Sequence, residues 1–167
     1  MRTYDKPKRA DYDEFLFRSL FKAYGPRADY LEACTKTSYR DFCRTMHGFG
    51  KLRNKKSIYD GALTTLQNQF RNIASDRTVG DQNSFDNWHE SVTNQIIQVF
   101  CDDSRDKSFK VFAGQLQKWI NMTFKNIFVC GDQRVGGYDR LYEFCHMPID
   151  NVILGQLKKM GIRSSNV

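Results

Sequence analysis

The chain has 167 residues, of which 40% are hydrophobic and 14% aromatic, with 13 Phe and 8 Tyr. That apolar content excludes a disordered tail, and the length suits one domain with a substantial core. No apolar run reaches the ~18 residues that cross a bilayer, and the N-terminal MRTYDKPKRADYDEF has no apolar segment behind its positive charge, so a cytoplasmic protein without a membrane partner is expected.

The net charge of +7 is one-sided. Residues 1 to 57 carry 14 Lys and Arg against 7 Asp and Glu, while residues 58 to 167 carry 12 against 12. A basic surface of this kind concentrates polyanions, which makes a nucleotide or nucleic acid held through its phosphates the leading partner class; solubility alone would also account for it.

Residues 1 to 10 read as a flexible basic N-terminus. The first helix is expected from about Asp13 to Tyr24, burying Phe15, Leu16, Leu20, Phe21 and Tyr24 and stopping at Gly25-Pro26. Residues 27 to 37 then join it to a second helix. That helix is expected to start near Ser38, where SYRD has the shape of a capping box, to turn Tyr39, Phe42, Cys43 and Met46 inward, and to end around Gly48.

The next stretch, GFGKLRNKKS, holds Lys51, Arg53, Lys55 and Lys56 with two glycines and no acid. Ser57 is placed to cap the following helix, whose free amides and dipole favour an anion that the four cations would clamp. A solvated loop is the structural alternative. The stretch is not a Walker motif and follows no predicted strand.

The third helix, Ile58 to about Ser75, is expected to bury Ala62, Leu63, Leu66, Phe70 and Ile73. A fourth, capped by Ser84 and running to about Phe100, buries Phe85, Trp88, Val92, Ile96, Val99 and Phe100 in the same reading. Both have polar faces rich in Asn and Gln.

The longest helical pattern spans residues 108 to 129, beginning SFKVFAGQLQKWINMTFKNIF, and about six helices are expected to pack around it as an all-α single domain. One face gathers Phe109, Phe112, Ala113, Leu116, Trp119, Ile120, Phe124 and Ile127. Lys118 and Lys125 lie on the other side, but in company with Val111, Met122 and Val129, so this helix is expected to be covered on both sides. Lys118 and Asn121 then line a cleft or follow a partner helix, unless the lysine stem packs while its ammonium reaches water.

Gly131 to Gly137 form a loop, Tyr138 to Cys145 a short helical turn, and a last helix follows Ile149 as hydrophobic staple and Asp150 as N-cap, with Ile153, Leu154, Leu157 and Met160 inward and a C-cap at Gly161. Five cysteines, Cys34, Cys43, Cys101, Cys130 and Cys145, are widely spaced without a CxxC pair and read as buried thiols in a reducing compartment. His47, His89 and His146 have no second ligand pair at zinc spacing, so neither a metal nor a cofactor is expected.

Lys118 on one helix and Pro148-Ile149-Asp150 at the head of a later helix ending LysLysMetGlyIle resemble the helix-hairpin-helix DNA glycosylases. The separation of 32 residues between Lys118 and Asp150 resembles the archaeal-type oxoguanine glycosylase branch, and the likeness covers residues 109 to 162. The chain departs from that family in lacking the glycine-rich hairpin before the lysine, where it has only Gly114. The resemblance implies that Lys118, kept neutral by burial, attacks the sugar carbon and forms a Schiff base, while Asp150 stabilises developing positive charge or moves a proton. A flipped base would then lie beside Trp119 or Tyr138, with the basic first third on the backbone. For Asp150 a plain helix N-cap is the structural alternative.

A second reading is a binder without chemistry, monomer or homodimer, that sequesters a nucleotide-type signalling molecule of phage or host immunity. It would take phosphates at the Lys51 to Lys56 loop and stack the base on Trp119, Tyr138 or Tyr142. A third is a protein-protein adaptor that uses the polar helix faces.

Overall fold

The computed structural model describes residues 8 to 22, 29 to 103, 109 to 146 and 151 to 161. Among these residues the chain is helical without a strand. Six α-helices follow one another: α1 Arg9–Phe21, α2 Tyr30–Phe42, α3 Lys55–Ser75, α4 Gln82–Asp103, α5 Ala113–Cys130 and α6 Asn151–Lys159. Short 3-10 helices lie at Cys43–Thr45, Phe49–Lys51 and Asp139–Phe144. The all-α fold expected from the periodicity is therefore present, with α5 at its centre.

α5 packs most extensively on α2 and next on α4, and α3 closes the bundle against α4. Its buried set, Leu116, Trp119, Ile120, Asn121, Thr123, Phe124, Asn126, Ile127 and Cys130, runs around much more of the helix than one stripe. The α2 side of this contact is made of small residues, Cys34, Thr35 and Ser38, which let the two backbones approach. Their hydroxyls are satisfied within α2: Ser38 Oγ donates to the Cys34 carbonyl at 2.8 Å and Thr35 Oγ1 to the Leu31 carbonyl at 3.1 Å. Asn126 Nδ2 donates to Ser38 Oγ at 2.8 Å, and the Cys34 and Cys130 sulfurs lie 3.3 Å apart. Above this polar seam, Trp119 stacks on Phe42, centroids 5.1 Å apart and planes within 9°, and donates its indole N–H to the Thr35 carbonyl at 3.0 Å.

Several boundaries differ from the sequence expectation. α2 begins eight residues earlier than SYRD suggests, because Asp29 supplies the cap by accepting from Glu32 N at 2.8 Å. Ser38 is an interior helix residue. α3 begins at Lys55 with Asn54 before it, so Ser57 sits in the first turn and is not the cap. At α4 the cap is Asp81, which accepts from Ser84 N at 2.7 Å while Ser84 Oγ reaches back to the Gly80 and Asp81 amides. α5 starts at Ala113; Phe109 packs on Phe49 and Phe100 from the extended segment ahead of it, and Phe112 is exposed.

The largest departure is α1. It starts at Arg9, inside the stretch read as a flexible N-terminus, and residues 1 to 7 lie outside the described residues, as do Tyr24 and the Gly25-Pro26 stop. Phe15, Leu16 and Leu20, expected in the core, are 64%, 63% and 62% exposed. Phe21 is buried as expected, and Glu14 and Phe17 join it on the face toward the body. Glu14 accepts from Arg134 Nη2 at 2.6 Å, Arg18 Nε at 2.7 Å and Tyr30 Oη at 3.0 Å, and Arg134 also lies 4.2 Å over the Phe17 ring. These contacts, Arg134 foremost, hold the Glu14 carboxyl down to about 2. A carboxylate with three donors on one side of α1 sets which face docks.

At the other end of the chain, α6 begins at Asn151 as expected, and Gly161, with φ of 78°, sits past its C-terminus as the C-cap reading requires. Met160 is exposed and Leu157 half-buried, so neither belongs to the core; the side chains of Ile153 and Leu154 lie outside the described residues. The inward residues named for α3 are all buried, and in α4 Trp88 and Val99 are half-buried while the rest are buried.

These placements predict a contrast. Trp119→Ala removes a fully buried ring together with its bond to the Thr35 carbonyl, and is expected to lower unfolding free energy by ~3–5 kcal/mol in urea titration. Leu16→Ala on the open face of α1 is expected to change it by no more than ~0.5 kcal/mol. Comparable losses for both would contradict the assigned faces.

Candidate functional site

Two regions collect polar groups that the core does not consume. The first is the basic end, from the last turn of α2 to the first turns of α3. Arg40, Arg44, Lys51, Arg53, Lys55 and Lys56 lie here with one acid, Asp41, among them and a second, Asp60, one turn further along α3, and all six cations are exposed. Leu52 and Phe49 are buried beneath them and pin the segment to the body, Phe49 edge-on to Phe100 at 5.5 Å. Gln115 of α5 adds a tie, since its amide donates to the Thr45 carbonyl at 2.5 Å while its Oε1 accepts from Phe112 N at 2.9 Å. Lys55 Nζ donates to the Gly50 carbonyl at 2.9 Å and Lys56 pairs with Asp60 at 2.5 Å. Lys56, Ser57, Asp60, Gly61 and Thr64 line an open groove of about 630 Å³ along the start of α3. The positive end of the α3 dipole faces this basic segment.

The second region is a cleft of about 650 Å³ between the outer side of α5 and the Asp139–Phe144 helix, lined by Asn121, Phe124, Lys125, Phe128, Val129, Tyr142, Glu143, Cys145 and His146. The opposing wall is fixed by two long-range anchors. Tyr138 is buried and donates to the Phe70 carbonyl at 2.8 Å; Gly137, at φ of 94° with the Ala74 carbonyl only 3.1 Å from where a Cβ would sit, leaves no room for a side chain at that turn. Arg140 donates to the carbonyls of Ile73, Asp76 and Val79 at 2.5, 2.6 and 2.6 Å, tying the end of α3 and the loop after it to this helix.

No family model, curated protein or solved structure matches the chain. The two regions are therefore read from their own chemistry.

On the floor of the cleft, Asn121 is 9% exposed and its Oδ1 lies 2.8 Å from His89 Nε2. Burial pushes the His89 imidazole below its ordinary range, so it is neutral and donates to that oxygen. At the rim, His146 Nε2 meets Asp86 Oδ1 at 2.8 Å, and the two imidazoles are 4.8 Å apart. Gln82, with His146 behind it, lowers the Asp86 carboxyl. Burial raises the Cys145 thiol to about 12, which keeps it protonated and makes it a poor nucleophile.

The residues expected from the sequence to form a site fall in different places. Asn121 and Lys125 line the cleft, and Lys118 continues the same stripe of α5 one turn earlier, half-buried and outside the cleft lining. Trp119 and Tyr138 are core residues whose polar atoms bond carbonyls, so neither offers a ring face for stacking. Asp150 lies outside the described residues. Lys51, Arg53, Lys55, Lys56 and Ser57 are together at the basic end, as their contiguity in sequence required. Glu143 and the His146-Asp86 pair carry no periodic signal, and sequence reasoning misses them. Of the three rings expected to stack on a base, Tyr142 is the one that is exposed.

The neutral His89 makes stability depend on pH. Its folded pKa is depressed from an ordinary 6.5, so its contribution is present above pH 6.5 and is lost as pH falls through the folded value. Urea midpoints are expected to decline from pH 7.5 toward 5, and His89→Gln is expected to flatten that decline. An equally steep decline in the variant would place its origin elsewhere.

Proposed function

We propose that the protein binds a phosphate-bearing ligand, a nucleotide or nucleic acid, through its basic end. The observation that carries this reading is the set of six exposed cations with one acid between residues 40 and 56. Buried Phe49 and Leu52 hold the segment that carries them, and clustered Lys and Arg beside a helix N-terminus favour backbone phosphates over isolated carboxylates. In this reading the protein acts in the cytoplasm, where such ligands are abundant.

A base-excision activity through Lys118 and Asp150 is the second reading. What favours it is the half-buried position of Lys118 on the stripe it shares with Asn121 and Lys125, together with the start of α6 directly after Asp150. Without chemistry, the same surface fits a binder that sequesters a nucleotide-type signal.

Fluorescence anisotropy with labelled single-stranded and duplex oligonucleotides over a salt series tests the main reading. Affinity is expected to fall steeply with salt. Lys55→Gln with Lys56→Gln is expected to weaken all sequences alike and to reduce the salt slope by about 1 for each phosphate that is no longer neutralised. Binding that ignores both salt and the double variant would refute it. For the second reading, borohydride trapping on duplex containing a damaged base should give a covalent adduct that Lys118→Ala abolishes; absence of an adduct with the wild-type chain leaves a binder.

A further inference from the structure

Three polar groups in the α5 cleft have hydrogen-bonding capacity that the protein does not use. The Oδ1 of Asn121 is taken by His89, while its Nδ2 has no partner among the described residues and reaches the solvent of the cleft, which the residue lines at 9% exposure. Lys125 and Glu143 line the same cleft, yet neither forms an ion pair with the other or with any described residue. The bond to His89 fixes the orientation of this amide, so an acceptor over Asn121 exchanges water for a donor that is already aimed into the cleft.

The apolar part of the cleft has a particular shape. Phe128 and Tyr142 meet edge to face, centroids 4.9 Å apart at 82°, and Tyr142 remains 69% exposed, so its ring is open to a flat partner. Aromatic faces beside one amide, one ammonium and one carboxylate suit a planar, polar heteroaromatic that carries an anionic tail.

We propose that this cleft is a binding site for a nucleoside monophosphate. The base stacks on the Phe128 and Tyr142 side and takes the Asn121 Nδ2 hydrogens on an edge acceptor. Lys125 meets the phosphate, and Glu143 accepts from ribose hydroxyls or an exocyclic amine. The volume of about 650 Å³ lies within the range of small-molecule sites. The ligand class follows the reading proposed above, but none of these residues belongs to the basic end, so the two assignments are separable.

Isothermal titration calorimetry of the full chain tests it with adenosine 5′-monophosphate, adenosine, ribose 5-phosphate and inorganic phosphate. One adenosine monophosphate per chain is expected, with ligands lacking either base or phosphate about tenfold weaker or more. Lys125→Gln is expected to weaken adenosine monophosphate about tenfold and to leave adenosine unchanged, because it removes a charge-assisted bond to phosphate. Tyr142→Ala is expected to weaken both ligands. Both positions line the open cleft, and circular dichroism checks that the variants keep their helices. Lys55→Gln with Lys56→Gln should leave adenosine monophosphate binding intact. The inference is overturned if ribose 5-phosphate binds as tightly as the nucleotide, if Lys125→Gln and Tyr142→Ala bind it like the wild type, or if adenosine, guanosine, cytidine and uridine monophosphates all fail to bind. Oligonucleotide binding that survives such a failure would leave the basic end standing without the cleft, and the converse holds.

Discussion

The contact between α2 and α5 is the constraint on which the other elements depend. Two helices approach this closely only if the residues between them are small, and small residues able to serve here include Ser, Thr and Cys, whose polar atoms need partners. The chain meets both conditions at once: Ser38 and Thr35 bond back to carbonyls of their own helix, Asn126 reaches across to Ser38, and Cys34 faces Cys130. Trp119 then closes the upper part of the seam by stacking on Phe42 and donating to the Thr35 carbonyl. A buried amide and a buried indole with fixed partners specify one register between the helices, which a wholly apolar seam would leave looser.

With α2 on one side of α5, the opposite side must be met by something else, and it is met unevenly. α4 covers part of it through His89, Phe85 and Trp88, and the Asp139–Phe144 helix stands off from the rest. The gap is the cleft. Its wall is held by Tyr138 and Arg140, which bond carbonyls of α3 and of the loop that follows it, so the far side of the bundle positions the near side of the cleft. The basic end is anchored differently, by Phe49 and Leu52 beneath it and Gln115 beside it. One helix thus supports two surfaces of different chemistry, near its N-terminus and along its outer face.

Much of this is legible in the sequence wherever a helix is amphipathic in the ordinary way. α3 and α4 bury an apolar stripe at helical period, and their inward residues can be named from spacing. α2 cannot be read so, because its inner face is Cys34, Thr35 and Ser38, residue types that elsewhere mark loops and caps, and SYRD imitates a capping box. α1 misleads in the opposite sense: its apolar residues suggest one inner face, while Glu14, bonded by Arg134 from 120 residues away, selects another. No local pattern announces a partner at that distance. The basic end is visible since its charges are contiguous, and Asn121 and Lys125 are visible as polar residues on a helix too apolar to be solvated. Glu143, His146 and Asp86 join them only through the path of the chain after Gly137, where a positive φ and the approach to Ala74 turn it.

α5 and its seam with α2 thus lie at the base of the structure, and α1 at its edge. Amide hydrogen exchange, followed residue by residue, tests this most directly. Amides of residues 116 to 127 are predicted to exchange only through global unfolding, with α2 residues 34 to 42 close behind, while α1 exchanges faster through local opening. If α5 exchanged as fast as α1, or if α3 and α4 stayed protected while α5 did not, the central position assigned to this helix would be wrong.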